Sequence, residues 1–258
     1  MDRNVIVKKE GMTAWVAMNR PEALNSLAPE LCSALVSALD ECEADSGVRV
    51  VVLSGNGKAF CAGGDLRTIA ALDSIEDARS YVRSAGMITS AIMRSKKPYI
   101  AMVGGAAAGA GFNIALACDL ICASSCARFT QAFCSVGLIP DCGGSLLLRR
   151  AVGVHAAKTL MFLPNTLSAD DAVRLGLIFK LTEPEKLKDA AASLASELAA
   201  QPPLALAQMK RLQNKTEEIE AILREEEEIQ ARLITGEDCK EGIRAFFEKR
   251  RPVFRGKS

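Results

Sequence analysis

Apolar runs alternate with mixed polar and apolar stretches over the first half of the chain, and the two kinds of stretch have different periods. Short runs rich in apolar or β-branched residues predict strands, at 4–9, 13–18, 48–55, 96–105 and 120–124. Two longer stretches, at about 28–43 and 74–95, place apolar residues on one helical face. Strands that alternate with helices predict an α/β fold with mainly parallel pairing, after a hairpin formed by the first two strands.

The pattern becomes almost entirely helical beyond residue 185. One apolar stripe consists of Leu187, Ala190, Ala191, Leu194 and Leu198. A second consists of Ile219, Ile222, Leu223, Ile229 and Leu233. This second stripe lies opposite the acidic run REEEE at 224–228, for which we predict a solvent-exposed face. The sequence therefore predicts two parts, a core at 1–195 and a helical C-terminal region at 196–258.

Composition and charge argue against several functional classes. The formal net charge of the 258 residues is +1 and there is no basic-aromatic cluster, so neither nucleic acid nor a membrane surface is an expected partner. No uncharged apolar run reaches the roughly 18 residues of a membrane span, and no signal peptide is evident, which predicts a cytoplasmic protein. The nine cysteines lack CxxC spacing and are expected to be small core residues, with no metal site. We expect a structural position for His155, the single histidine.

Two glycine-rich segments, GNGKAFCAGGDL at 55–66 and VGGAAAGAGFN at 103–113, each follow a predicted strand. Their spacing fits neither a P-loop nor a dinucleotide-binding fingerprint. Glycine permits backbone conformations that turn successive N–H groups toward one point. A helix that begins near residue 109 would add its own unpaired N–H groups. The segments could together form an oxyanion hole, although tight turns between strand and helix would need the same glycines.

Landmarks along nearly the whole chain make the sequence recognisable, in the order NRPEALNSL (19–27), KAFCAGGDL (58–66), GAAAGAGFNIALACDL (105–120), FTQAFCSVGLIPDCGG (129–144), GLI (176–178) and AFFEKRRPVF (245–254). In these segments the chain resembles the crotonase family, the enoyl-CoA hydratases and isomerases. The resemblance implies a ClpP-like spiral of ββα units, followed by C-terminal helices that drive assembly into a homotrimer or a dimer of trimers. It also implies an acyl-CoA thioester as substrate, so that coenzyme A is part of the substrate and no separate cofactor is needed.

The resemblance implies that two backbone N–H groups, those of Gly64 and Ala110, bind the thioester oxygen. Proton removal beside a thioester places negative charge on that oxygen, and the loss of one such donor typically costs about 2.7–4 kcal/mol of barrier. The resemblance also implies contacts with coenzyme A, at Ala23, Leu24, Ala62 and, from the C-terminal helix, Lys249 or Arg250.

Hydratases of this family use two glutamates to activate water, and the corresponding positions in this chain are Asn113 and Phe133. An amide and a phenyl ring supply neither an acid nor a base, so hydration by the usual mechanism is not expected. The two side chains are expected instead to shape the acyl pocket, together with Leu138.

The remaining carboxylate of interest is Asp141, in the loop VGLIPDCGG at 136–144. The local sequence alone favours a turn or a helix cap for this residue. The resemblance favours a functional role, because isomerase-type and dehalogenase-type members carry a functional aspartate in the same type of loop. A single carboxylate can move a proton between two carbons of the acyl chain, and apolar neighbours should raise its pKa toward that of a usable base.

The sequence therefore predicts an enoyl-CoA isomerase of fatty acid or aromatic acid metabolism. Among the subfamilies it looks most like the phenylacetate-pathway ring isomerases. Two alternatives stay open. One is a hydratase or lyase in which Asn113 holds water and Asp141 is the only acid/base. The other is a catalytically silent acyl-CoA-binding protein.

Overall fold

Strands end at residue 182 and helices make up most of the described chain beyond it in the computed structural model, which describes residues 4–163 and 165–256. The strands are β1 (Val5–Glu10), β2 (Thr13–Met18), β3 (Val50–Gly55), β4 (Ala59–Cys61), β5 (Tyr99–Val103), β6 (Ala106–Ala108), β7 (Leu120–Ser124), β8 (Arg128–Thr130), β9 (Leu167–Ser168) and β10 (Lys180–Thr182). The helices are α1 (Pro29–Ala44), α2 (Leu66–Ala70), α3 (Ile75–Arg94), α4 (Ala110–Ala117), α5 (Gly144–Val152), α6 (Val154–Phe162), α7 (Ala169–Arg174), α8 (Leu187–Ala199), α9 (Pro203–Asn214), α10 (Thr216–Thr235) and α11 (Glu237–Glu248).

The strands form two sheets, and the chain passes repeatedly from one to the other. Within the described residues the larger sheet has the order β1-β2-β3-β5-β7-β10 and the smaller has the order β4-β6-β8-β9. Pairing is parallel except between β1 and β2 and between β8 and β9. Each of β3, β5 and β7 is followed by a short strand in the other sheet, and helices follow β4 and β6. This succession of strand, strand and helix confirms the predicted α/β fold and its spiral of ββα units.

The long predicted elements are confirmed to within a few residues. The run at 48–55 forms β3, and the helical stretches at 28–43 and 74–95 form α1 and α3. Sequence reasoning missed the short strands β4, β6 and β8, each of three residues. Their sequences AFC, AAA and RFT are too short to show an alternating pattern. These strands carry the chain into the glycine-rich turns, so they place the site described below.

The C-terminal helices pack onto the core of the same chain. Helix α10 lies along α3, where Arg83 contacts Glu227 at 2.6 Å. The prediction that the acidic run at 224–228 is solvent-exposed is wrong for Glu226 and Glu227, which are only 3% and 9% exposed. Glu226 accepts hydrogen bonds from two backbone N–H groups and Glu227 accepts them from the guanidinium of Arg83, which makes their burial tolerable. The division of the chain after residue 195 stays a prediction.

Most of the cysteines are buried, and the histidine lies on the surface. Seven of the nine cysteines are buried, and Cys126 and Cys134 are exposed. His155 is exposed on α6. Among the described residues, no group of three or more His, Cys, Asp or Glu side chains is arranged to hold a metal ion. A membrane-spanning length of apolar helix is also not found in the described ranges.

Candidate active site

A cavity of about 320 Å³ lies between the turn that follows β4, the start of α4 and the segment after β8. Its wall is mainly apolar, and the lining side chains include Leu66, Ile69, Phe133, Val136, Leu138 and Phe246. Asp141 also lines the cavity, and among the described lining residues it is the one that carries a carboxylate. A mainly apolar pocket with one convergent polar group is typical of a small-molecule site.

Two glycine turns meet at one end of this cavity. Gly63 has φ +92°, and a Cβ at this position would lie 2.7 Å from the carbonyl oxygen of Ala108 and 3.4 Å from the amide nitrogen of Ala110. The turn after β4 is therefore pressed against the start of α4, with Gly109 as the N-cap of that helix. Neither the N–H of Gly64 nor that of Ala110 has a hydrogen-bond acceptor among the described residues. Two unpaired N–H groups on adjoining turns can bind a developing oxyanion.

The phenol of Tyr81 fixes the first of these turns. Its oxygen accepts a hydrogen bond from the N–H of Asp65 at 2.9 Å and donates one to the carbonyl of Leu27 at 2.8 Å. A Cβ added to Gly64 would lie 3.2 Å from the same phenol oxygen, so the contact tolerates little movement. The Asp65 carboxylate caps α2 by accepting from two N–H groups in its first turn. The turn that carries the Gly64 amide is thus held by side-chain hydrogen bonds of Tyr81 and Asp65.

The loop that carries Asp141 is clamped between a turn and a helix start. Cys142 and Gly143 both adopt positive φ, +52° and +76°, which turns the chain sharply into α5. At that point Glu226 accepts hydrogen bonds from the N–H groups of Gly143 and Ser145, at 2.7 and 3.1 Å. Burial raises the pKa of the Glu226 carboxyl to about 7, while these hydrogen bonds lower it. A carboxylate from α10 therefore caps α5 and fixes the loop next to Asp141.

Asp141 itself is 8% exposed, and one of its two carboxyl oxygens is hydrogen-bonded to another side chain. Its Oδ2 accepts a hydrogen bond from Nε2 of Gln230 at 3.3 Å. Its Oδ1 is buried and has no hydrogen-bond partner among the described residues. Burial raises the pKa of this carboxyl from 3.8 to about 6, although Gln230 and the Cys142 thiol oppose the rise. The predicted rise in pKa is confirmed, and a carboxylate with a pKa near neutrality can both take up and return a proton.

The two positions that replace the hydratase glutamates have different surroundings. Phe133 lines the cavity, and its ring lies about 3.5 Å from where a Cβ on Gly109 would be. Asn113 is fully buried: its Nδ2 donates to the Asp141 carbonyl at 2.8 Å and its Oδ1 accepts from Gln131 at 2.7 Å. It is not among the described lining residues. Asn113 thus reaches the site through the Asp141 backbone, and its predicted contact with substrate stays a prediction.

The predicted coenzyme A contacts fall in two segments, one beside the oxyanion turn and one at the end of α11. The N–H of Ala62, which lines the cavity, donates to the carbonyl of Leu24 at 3.0 Å, so the segment of Ala23 and Leu24 lies beside the oxyanion turn. Lys249 ends α11 in an exposed position. The guanidinium of Arg250 is bonded to Glu241 at 2.6 and 2.8 Å. Binding of coenzyme A at these positions stays a prediction.

Sequence reasoning missed three side chains that organise the site, Tyr81, Glu226 and Gln230. A signal for the two on α10 was present. The buried face of α10 runs from Ile219 through Glu226 and Gln230 to Ile234, so two polar residues interrupt an apolar stripe at helical spacing. Polar side chains at such positions need buried partners, and here those partners are in the loop around Asp141.

Comparisons with known proteins agree with this architecture. The family model described as enoyl-CoA hydratase/isomerase matches residues 8–257. The chain is 38% identical to the 1,2-epoxyphenylacetyl-CoA isomerase of Escherichia coli K12, over 97% of each chain. It is 37% identical to the short-chain-enoyl-CoA hydratase of Clostridium acetobutylicum, over 96% of each. A solved enoyl-CoA hydratase from Mycobacterium avium subsp. paratuberculosis K-10 superposes with a TM-score of 0.89, at 30% identity and 98% coverage of each chain. The names of these relatives include both hydratases and an isomerase, and the chain belongs to the enoyl-CoA hydratase/isomerase, or crotonase, family.

Proposed function

We propose that this protein is an enoyl-CoA isomerase that moves a double bond along an acyl-CoA thioester by a 1,3 proton transfer. The observation that carries the proposal is the single carboxylate among the described residues of a mainly apolar cavity wall, Asp141, in a cavity that Gly64 also lines and at which two adjoining turns carry unpaired backbone N–H groups. Its pKa of about 6 suits a group that must alternate between base and acid. Coenzyme A is part of the substrate in this proposal, and no separate cofactor takes part.

The proton transfer proceeds in two steps on a 3-enoyl thioester. The ionised Asp141 removes a proton from C2, and the electron pair of that C–H bond delocalises onto the thioester oxygen. The N–H groups of Gly64 and Ala110 stabilise this dienolate. Protonated Asp141 then delivers the same proton to C4, which leaves the double bond between C2 and C3 and returns the carboxylate to its ionised form. No atoms are gained or lost overall.

Hydration of a 2-enoyl thioester makes a different demand on the site. Addition of water needs a base for the nucleophile and an acid for the α carbon. The described lining residues contain one carboxylate, and the amide of Asn113 is bonded within the protein at both ends. These contacts favour the isomerase over a hydratase or lyase with an atypical water site.

The experiment measures turnover of a 3-enoyl-CoA and a 2-enoyl-CoA by the wild type, by Asp141→Asn and by Asp45→Asn. Asp45 is an exposed aspartate paired with Lys9, far from the cavity lining, and serves as the matched control. We expect the wild type to isomerise the 3-enoyl thioester and Asp141→Asn to lose about 10²–10⁴-fold in kcat, because general acid–base catalysis is typically of this size. Full isomerase activity in Asp141→Asn would refute the assignment. Faster hydration of the 2-enoyl thioester would favour the hydratase, and no reaction of either would favour an acyl-CoA-binding protein.

We further propose that the chain assembles as a homotrimer or a dimer of trimers in the cytoplasm. Helix α9 exposes Leu204, Met209 and Leu212, at 81%, 54% and 63% of their surface. Apolar side chains clustered on an exposed surface are typical of protein–protein contacts. Light scattering of the purified protein measures the number of chains in the assembly.

A further inference from the structure

The side chain of Gln230 joins α10 to the backbone of the loop that carries Asp141. It is only 1% exposed. Its Oε1 accepts from the N–H of Ile139 at 3.0 Å, and its Nε2 donates to the carbonyl of Ile139 at 2.9 Å. Because the amide pairs with both polar groups of one residue, its plane is fixed relative to the loop.

The same Nε2 also donates to Oδ2 of Asp141 at 3.3 Å. An amide nitrogen has two hydrogens, so one can go to Ile139 and the other to the carboxylate. The two oxygens of Asp141 are therefore not equivalent: Oδ2 has a donor, and Oδ1 is buried with no partner among the described residues. The hydrogen bond also opposes rotation of the carboxylate about its Cβ–Cγ bond.

We propose that Gln230 is a positioning residue that holds the Asp141 carboxylate through Oδ2 in the orientation from which the carboxylate exchanges protons with the substrate. This inference rests on the proposed isomerase function. Gln230 itself need not touch the substrate.

Gln230 must also influence the ionisation of Asp141, since a hydrogen bond to a carboxylate favours its charged form. The titratable groups whose pKa is raised by the Asp141 charge come from several elements, namely Cys32 of α1, Cys61 of β4, Tyr81 of α3, Cys142 of the loop and Glu226 of α10. Burial raises the pKa of every one of these thiols and of the phenol, so they stay neutral near pH 6. Glu226 is the group that titrates nearby, with a pKa of about 7.

The test is the pH dependence of kcat/KM for a 3-enoyl-CoA in the wild type and in Gln230→Met, which keeps the length of the side chain and removes both hydrogen-bonding groups. We expect the acidic limb of the pH profile, the range in which kcat/KM rises with pH, to move to higher pH by roughly 0.5 to 1 unit. At a fixed pH on that limb, kcat/KM should then fall about 3- to 10-fold. The same pair in a Glu226→Gln background separates the shift from titration of Glu226. Gln208→Met, an exposed glutamine on α9, is the matched control and should leave the limb unmoved.

A purely structural role for Gln230 predicts a different outcome. Gln230→Met would then lower the melting temperature and kcat without moving the acidic limb, and that result would overturn the inference. If Gln230→Met does not fold, Gln230→Asn answers the same question, because the shorter side chain keeps the amide but cannot reach both Ile139 and Oδ2 of Asp141. An upward shift of the limb in Gln230→Asn supports the inference, and an unchanged limb overturns it. Full activity in Asp141→Asn would instead refute the proposed function, so the two failures are distinguishable.

Discussion

Replacing Asp141 by asparagine should stabilise the folded protein at neutral pH while it removes activity. Burial raises the pKa of the Asp141 carboxyl from 3.8 to about 6 in the folded state. Between these two values the folded state binds more protons than the unfolded state, so stability falls as the pH rises through this interval. Below pH 3.8 the carboxyl is neutral in both states and costs nothing. Above pH 6 the wild type carries the full cost of burying the charge.

The size of this cost follows from the shift in pKa. A rise of about two units corresponds to about 3 kcal/mol, at roughly 1.4 kcal/mol per unit. Asparagine removes the charge and can still accept the hydrogen bond from Gln230. Its own NH₂ group would then lie where Oδ1 now has no partner, which costs about 1–3 kcal/mol. We expect a net gain of up to about 2 kcal/mol at pH 8, or up to roughly 8 °C in melting temperature for a chain of this size.

The assay is urea-induced unfolding of the wild type and of Asp141→Asn at several pH values from 4 to 8. The free energies of unfolding should differ most at pH 8, and the gain of the variant should disappear toward pH 4. Asp45→Asn is the control of opposite sign, since the pKa of exposed Asp45 is lowered, first by its hydrogen bond with Lys9. The reasoning would be refuted if Asp141→Asn were no more stable than the wild type at pH 8 and showed the same pH dependence. That result would show that burial does not penalise this charge.

The other predictions concern the oxyanion turn. Tyr81→Phe leaves the N–H of Asp65 and the carbonyl of Leu27 without their partner, so the free energy of unfolding should fall by about 1–3 kcal/mol. Its kcat should also fall while the acidic limb of the pH profile stays unmoved, and an unchanged kcat would contradict a positioning role. Gly63→Ala places a Cβ 2.7 Å from the Ala108 carbonyl at φ +92°, and kcat should fall by about 10²–10³-fold, the cost of losing one oxyanion donor. Gly11→Ala, also at positive φ but with open space around it, should lower the melting temperature and leave kcat intact.

Local sequence patterns were sufficient for the long elements and for the glycine turns. A run of β-branched residues such as 48–55 has few alternatives to a buried strand, and β3 follows it closely. The turns at Gly63 and Gly109 need positive φ, which glycine signals directly. Both features depend on interactions between near neighbours, and these are visible in the sequence.

The contacts that organise Asp141 depend on distant segments and were not predicted. Gln230 and Asp141 are separated by 89 positions, and Tyr81 lies 54 positions from the carbonyl that it binds. Which polar groups meet across such distances is decided by how helices pack onto the sheets. The burial of Glu226 is the clearest case, because an acidic run on a helix is usually solvated and only the packing of α10 on α3 brings one of its carboxylates inside. The tertiary structure, and not the local sequence, decides which of these polar side chains are buried and which groups they bind.

The docking of α10 over the Asp141 loop also links local unfolding to protonation. When α10 opens, water reaches the carboxyl and its pKa returns toward 3.8, so the opened form is favoured by ionisation and the closed form by a bound proton. Amide hydrogen exchange in α10, corrected for its intrinsic pH dependence, should therefore become faster as the pH rises through about 6. A dienolate in the cavity leaves the proton on Asp141 for as long as it exists. The intermediate would then keep the helix closed over it, and delivery of the proton to C4 would restore the charge that favours the opening of α10.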